Sequence, residues 1–183
     1  MSRVRASHRD AATEYSRFME ARLELIIVQT FPRRPPRVSW VRGAPVFFVT
    51  FCTYRRRSVL ATKNVQDSFV AFGLRAAQSH NIAVGRYVIM PDHVHLFVCG
   101  DLHFHLGKWI KALRQALGKS ISSGMRHDRI WQEGFFDHIL RSDESMAQKW
   151  EYVRDNPVRA GFVRIWTEWP FQGEIVLIDR ACL

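Results

Sequence analysis

Cysteine is scarce in this chain, and its pattern excludes a good deal. Cys52, Cys99 and Cys182 stand far apart and are odd in number. They supply neither a disulfide framework nor a CxxC zinc site, so a reducing cytosol is the expected compartment. Long apolar runs are missing too. The longest near the N-terminus is 25–28, with Glu24 before it, and no later stretch is better. That is too short for a signal-peptide core or a membrane span, so no membrane partner is expected. Acidic residues are in deficit: 17 Asp and Glu face 27 Lys and Arg, a formal net charge of +10. This balance suits a polyanionic partner such as nucleic acid, or simply a basic surface, and charge alone leaves both open. The excess is not confined to a tail, because residues 1–42 hold nine Arg against four acids and account for only half of it. No internal repeat or low-complexity tract is present.

What remains is one domain's worth of chain, 183 residues that are 47% apolar and 13% aromatic, which excludes a wholly disordered protein. Residues 1–43 read as a basic N-terminal extension. A helix is predicted over 10–29, ended by the proline-rich linker 32–37. The compact domain is assigned to 44–183. Within it, 46–54 (VFFVTFCTY) is β-branched and aromatic, a strand by composition. Residues 64–79 suit a helix, with Val65, Phe69, Phe72 and Ala76 at helical spacing. Strands follow over 82–90 and 93–98 around a turn at Pro91-Asp92. A helix from about 104 to 120 is expected, capped by Asp101, then a strand over 130–140. A last helix opens at Ser142 and runs to Asn156, where Pro157 stops it. The order β-α-β-β-α-β plus a helix predicts an α+β fold. It is the ferredoxin-like split β-α-β arrangement, an antiparallel sheet with helices on one face and a C-terminal tyrosine-bearing helix.

Two constellations carry chemistry. In His93-Val-His95-Leu-Phe-Val98 the side chains alternate, so Val94, Leu96 and Val98 meet the helices while His93 and His95 share the opposite face. Two imidazoles two residues apart on one face can reach one metal ion, although HxH also occurs by chance. The chain holds its own control, His103-Phe-His105. That pair falls at a helix start, where residues two apart point about 200° from each other, so surface or capping roles are expected. On the last helix, Met146, Trp150 and Val153 are spaced to pack on the sheet, leaving Tyr152 and Asn156 as neighbours on an adjoining face. A tyrosine oxygen can act as a nucleophile and an amide oxygen one turn on can complete a metal site. An ordinary half-buried tyrosine and an Asn closing a helix before proline fit the same residues.

The segment 87–98 (YVIMPDHVHLFV) resembles the HUH signature of the single-tyrosine transposases, and 152–163 (YVRDNPVRAGFV) resembles the tyrosine helix of their REP-associated branch. Segments 131–141 (WQEGFFDHILR) and 48–57 (FVTFCTYRRR) are similar to that branch too, and the likeness covers about residues 45–172. It implies a metal-dependent enzyme that nicks and rejoins single-stranded DNA beside palindromic hairpins. His93, His95 and Asn156 would hold Mg²⁺ or Mn²⁺, and Tyr152 would form a 5′-phosphotyrosine. Arg55, Arg56, Arg57, Lys108, Lys111, Arg114 and Lys119 are the expected phosphate contacts, and His138 is expected to be structural. The resemblance allows a monomer or a homodimer. Two other functions stay open at this point: a silent hairpin-DNA-binding protein, and a metal nuclease in which water attacks. A zinc deaminase is disfavoured because neither HxE nor PCxxC is present.

Overall fold

A computed structural model describes residues 44–121, 130–140 and 146–178, all within one compact unit. The helix expected over 10–29, the linker 32–37 and the cap at Ser142 lie outside the described residues. The elements are β1 (Val46–Cys52), α1 (Lys63–His80), β2 (Ala83–Ile89), β3 (His93–Cys99), α2 (Leu106–Ser120), β4 (Phe136–Leu140), α3 (Met146–Arg154), the single turn α4 (Asn156–Arg159) and β5 (Gln172–Glu174). The sheet runs β4-β1-β3-β2-β5 with every pairing antiparallel. Its first four strands have the split β-α-β order, so the expected α+β class holds.

Local chemistry accounts for the elements. Thr62 caps α1 by accepting from the Val65 N–H at 3.3 Å, and Lys63 pairs with Asp67 one turn on at 2.6 Å. Asn81 ends the helix in the left-handed region, at φ 50. The buried stripe is Val65, Phe69, Gly73, Ala76 and Ala77, so Gly73 stands where Phe72 was expected. A Cβ on Gly73 would meet Ile175 Cδ1 at 2.7 Å, so its absence lets α1 seat close to the chain after β5.

Register divides the sheet into two faces. Phe51 pairs with Val94 and Val49 with Leu96, while Cys52 pairs with His93, Thr50 with His95 and Phe48 with Phe97. The first set meets the helices. Phe69 of α1 lies 4.7 Å from the Tyr87 ring, and Phe72 packs against Trp109 of α2 at 5.6 Å. Val94, Leu96 and Val98 are fully buried there, each worth roughly 1.5–3 kcal/mol of hydrophobic stabilisation. A bulge in β2 between Val84 and Tyr87 turns Arg86 onto the other face. Tyr87 stays inside, where burial pushes its phenol up to about 12. The histidine face is covered by α3: Trp150 lies 6.4 Å from the Phe97 ring and takes the Arg86 guanidinium at 5.5 Å.

Three boundaries differ clearly from those expected, and one strand is additional. Asp101 does not cap α2; its Oδ1 accepts from the His103 N–H at 2.8 Å, a local turn, and the helix starts at Leu106 behind His105. The fourth strand is shorter, because Gly134 at φ 72 breaks the ladder and leaves only a Thr53–Trp131 bridge before β4. The tyrosine helix ends at Arg154, where Asp155 turns out at φ −83, ψ 0; Pro157 then sits in the first turn of α4, a position that proline favours. β5 was not expected, since Gln-Gly-Glu has no apolar alternation to announce it.

Candidate active site

His93 and His95 stand on the α3 side of β3 with ring centroids 4.7 Å apart and planes at 84°. Each ring is held from behind. His95 Nδ1 hydrogen-bonds Thr50 Oγ1 at 2.7 Å, and its ring stacks on Phe48 at 5.6 Å. His93 Nδ1 meets Asp92 Oδ1 at 2.6 Å. With both Nδ1 atoms engaged, Nε2 is the nitrogen each ring offers to a ligand. The rings favour the neutral form. Burial is the largest cause for both; it lowers His93 against the opposing pull of Asp92. It brings His95 to about 3, aided by the charges of His93, Arg56 and Arg159. Neutral imidazoles are the form in which histidine ligates metal.

Asp92 is itself held. Arg56 Nε contacts its Oδ2 at 2.8 Å, and Arg56 Nη1 reaches Cys52 Sγ at 2.8 Å. To do this the chain after β1 places two successive arginines in the left-handed region, Arg55 at φ 55 and Arg56 at φ 56. That conformation costs an L-residue roughly 1–2 kcal/mol each. Arg56 thus braces Asp92 from the surface, exposed like Tyr54 and Arg55 beside it.

The tyrosine arrives from α3. Trp150 and Val153 are buried and Met146 is partly buried against the core, which leaves Tyr152 63% exposed. The Arg159 guanidinium covers its ring at 4.3 Å and also donates to the Tyr152 carbonyl. Asn156 opens α4. Its Nδ2 donates to the Val153 carbonyl at 2.8 Å and its Oδ1 accepts from Arg159 Nη2 at 3.2 Å. Two imidazole nitrogens and this amide oxygen are donors that suit a divalent ion and leave open positions. Among the described residues no group of three His, Cys, Asp or Glu is placed to hold a metal.

The other expected phosphate contacts separate. Lys108, Lys111 and Lys119 lie exposed on α2, and Arg57 is partly buried after β1. Arg114 is packed between Phe51, Trp131 and Phe135, its guanidinium 5.2, 5.9 and 6.0 Å from the three rings, and it donates to the Gly134 carbonyl. We expect Arg114→Ala to lower stability by about 1–2 kcal/mol while leaving the salt dependence of DNA affinity unchanged. Thermal melts and affinities over a salt series check both halves. His103 and His105 are exposed at the start of α2, on the far side of β3's length from His93. Thr50, Asp92, the bracing role of Arg56 and the cover over Tyr152 by Arg159 were not foreseen. The acid directly before His93 was a usable signal; Thr50 gave none.

Residues 46–156 match the model of the family described as "Transposase IS200 like". The chain belongs to that family. The match starts at the first residue of β1 and ends at Asn156, so it takes in both the histidine strand and the tyrosine helix. Among relatives, the REP-associated tyrosine transposase of Escherichia coli (strain K12) is 27% identical over 138 residues, covering 74% of this chain and 79% of that protein. A putative REP-associated tyrosine transposase of Haemophilus influenzae is 23% identical over 151 residues, covering 74% and 82%. A solved structure, a REP-associated tyrosine transposase bound to a REP hairpin, superposes with a TM-score of 0.57 at 19% identity. It covers 75% of this chain and 80% of that one, and it carries the same fold. A transposase role for this chain follows from its family. Among the described residues no helix is long and apolar enough to cross a membrane.

Proposed function

We propose that this transposase cleaves and rejoins single-stranded DNA beside a palindromic hairpin, with Tyr152 as the nucleophile and a divalent metal held by His93, His95 and Asn156. The observation that carries the reading is the placement of an exposed tyrosine on α3, a helix that packs on the histidine-bearing face. The hairpin substrate rests on the likeness to the hairpin-bound relative.

Bound at this site, Mg²⁺ or Mn²⁺ would supply Lewis-acid stabilisation of the phosphate. The chain's own groups do the rest. Thr50 and Asp92 fix the two rings and present Nε2, and Tyr152 Oη attacks phosphorus. The bond from phosphorus to the 3′-oxygen breaks, the phenolic proton is lost, and the leaving strand ends in a 3′-hydroxyl. The 5′-phosphotyrosine retains the phosphodiester's energy, so attack by another 3′-hydroxyl rejoins strands and frees the tyrosine. Arg159, over the ring and bonded to the helix carbonyl, limits where Oη can swing.

The test is to incubate the protein with labelled single-stranded hairpin DNA and Mn²⁺ or EDTA, then resolve products on denaturing gels. A metal-dependent protein–DNA adduct mapped to Tyr152 by mass spectrometry is expected. Hairpin binding with no cleavage of any flank would instead favour a silent binding protein. The brace makes a second prediction: Asp92→Ala should weaken Mn²⁺ binding about 10- to 100-fold, the usual effect of removing a group that orients a ligating histidine. Calorimetric titration reads this, and unchanged affinity would remove Asp92 from the site.

A further inference from the structure

β4 is an edge strand, and Phe136 on it is 59% exposed. An exposed apolar side chain alone says little, but the register says where this one faces. Phe136 pairs with Thr50, and Thr50 pairs with His95, so the three side chains share the histidine face in one row. Phe136 meets the Phe48 ring edge-on at 6.4 Å, and Phe48 stacks on His95. The Lys149 ammonium of α3 lies over the same Phe48 ring at 5.8 Å. An open aromatic face thus borders a cation and the histidine pair, two strand spacings, or about 10 Å, from His95.

We propose that Phe136 is a stacking subsite for one nucleobase of single-stranded DNA, next to the scissile position. This rests on the DNA-cleaving reading above. The chemistry fits a base better than a protein surface. Stacking on a phenyl ring is tolerant of base identity, and a nearby cation suits the adjoining phosphate, the combination that grips single strands. A second copy of the chain fits poorly. Ile139, the other exposed apolar residue of β4, points to the opposite face, so neither face of the strand offers a patch near the roughly 800 Å² per partner of a stable interface. The exposed carboxylate of Asp137 also stands on this edge, a feature that discourages strand addition.

The experiment uses the full chain in EDTA, so that binding is read apart from cleavage. Hairpin oligonucleotides carry 5-iodouracil at successive single-stranded positions, are cross-linked by light, and the attachment is mapped by mass spectrometry. Affinities are measured for the wild type, Phe136→Leu and Phe136→Trp, with melting curves and sedimentation as controls. We expect a cross-link at Phe136 from one or two adjacent positions. Phe136→Leu should lose roughly tenfold in affinity, the scale of one base–aromatic stack, and Phe136→Trp should restore it. Equal affinity of the Leu variant with no cross-link at Phe136 would overturn the proposal. So would a change of sedimenting mass in that variant without a change in DNA affinity, which marks a contact between copies. Failure of the cleavage reading shows separately, as absence of the Tyr152 adduct when Mn²⁺ is added to the wild type.

Discussion

Tyr152→Phe should abolish the covalent protein–DNA adduct while leaving the fold and hairpin affinity almost untouched. The substitution removes one oxygen from a ring that is mostly in solvent. The ring keeps its place under Arg159, because that contact is with the π face and the accompanying hydrogen bond goes to the backbone carbonyl. Stability should therefore change by no more than about 0.5 kcal/mol, as for other exposed positions. Losing a nucleophile that nothing replaces removes the intermediate itself, so the expected loss is complete at the sensitivity of a labelled gel. Nicks that persist in the Phe variant, without adduct, would mean that water attacks at the histidine site. A large drop in melting temperature would mean that the phenol has a structural partner. Measuring adduct, nicks and melting on the same preparation separates the three.

Much of this site was legible because its information is local. The alternation in 93–98 was enough to set both histidines on one face and Val94, Leu96 and Val98 on the other. The spacing of Met146, Trp150 and Val153 turned Tyr152 away from the core, as found. What was not legible depends on distant pairing. Thr50 orients His95 only because β1 and β3 align with that register across 45 residues of sequence. The bulge that turns Arg86 toward Trp150 falls at Gly85-Arg86, where strict alternation would have set Arg86 on the same face as Val84. β5 is three polar residues whose pairing comes from the open edge of β2 rather than from their own composition. Arg114 is an intermediate case. It follows Ile110 by four and precedes Leu117 by three, at the margin of the buried stripe, so its packing among three rings could have been read from the helix. The arginines after β1 were seen as a basic cluster, but their left-handed backbone, which turns Arg56 back to Asp92, has no signature in a non-glycine sequence.

His95→Asn should eliminate metal-dependent adduct formation and, in the metal-free protein, flatten the fall of stability on acidification. The first effect follows from the donor set: an amide in place of an imidazole withdraws one of two ring nitrogens and the stack on Phe48. The second follows from where His95 titrates. Its folded-state value is about 3, set first by burial and then by the charges of His93, Arg56 and Arg159. In the unfolded chain a histidine takes its proton near 6.5. Between these values the unfolded chain holds a proton that the folded one refuses, so lowering the pH favours unfolding. The stability associated with neutral His95 is fully present above about 6.5 and drains away as the pH falls toward 3. His93, lowered in the same direction, acts with the same sign. A single such group contributes a slope of up to about 1.4 kcal/mol per pH unit. Denaturant unfolding in EDTA at closely spaced pH values between 7 and 5, a window chosen to lie above the ordinary carboxylate range, should show the wild type losing stability more steeply than His95→Asn. Equal slopes would mean that His95 accepts a proton in the folded protein, and that its ring is less enclosed between Thr50 and Phe48 than the geometry has it.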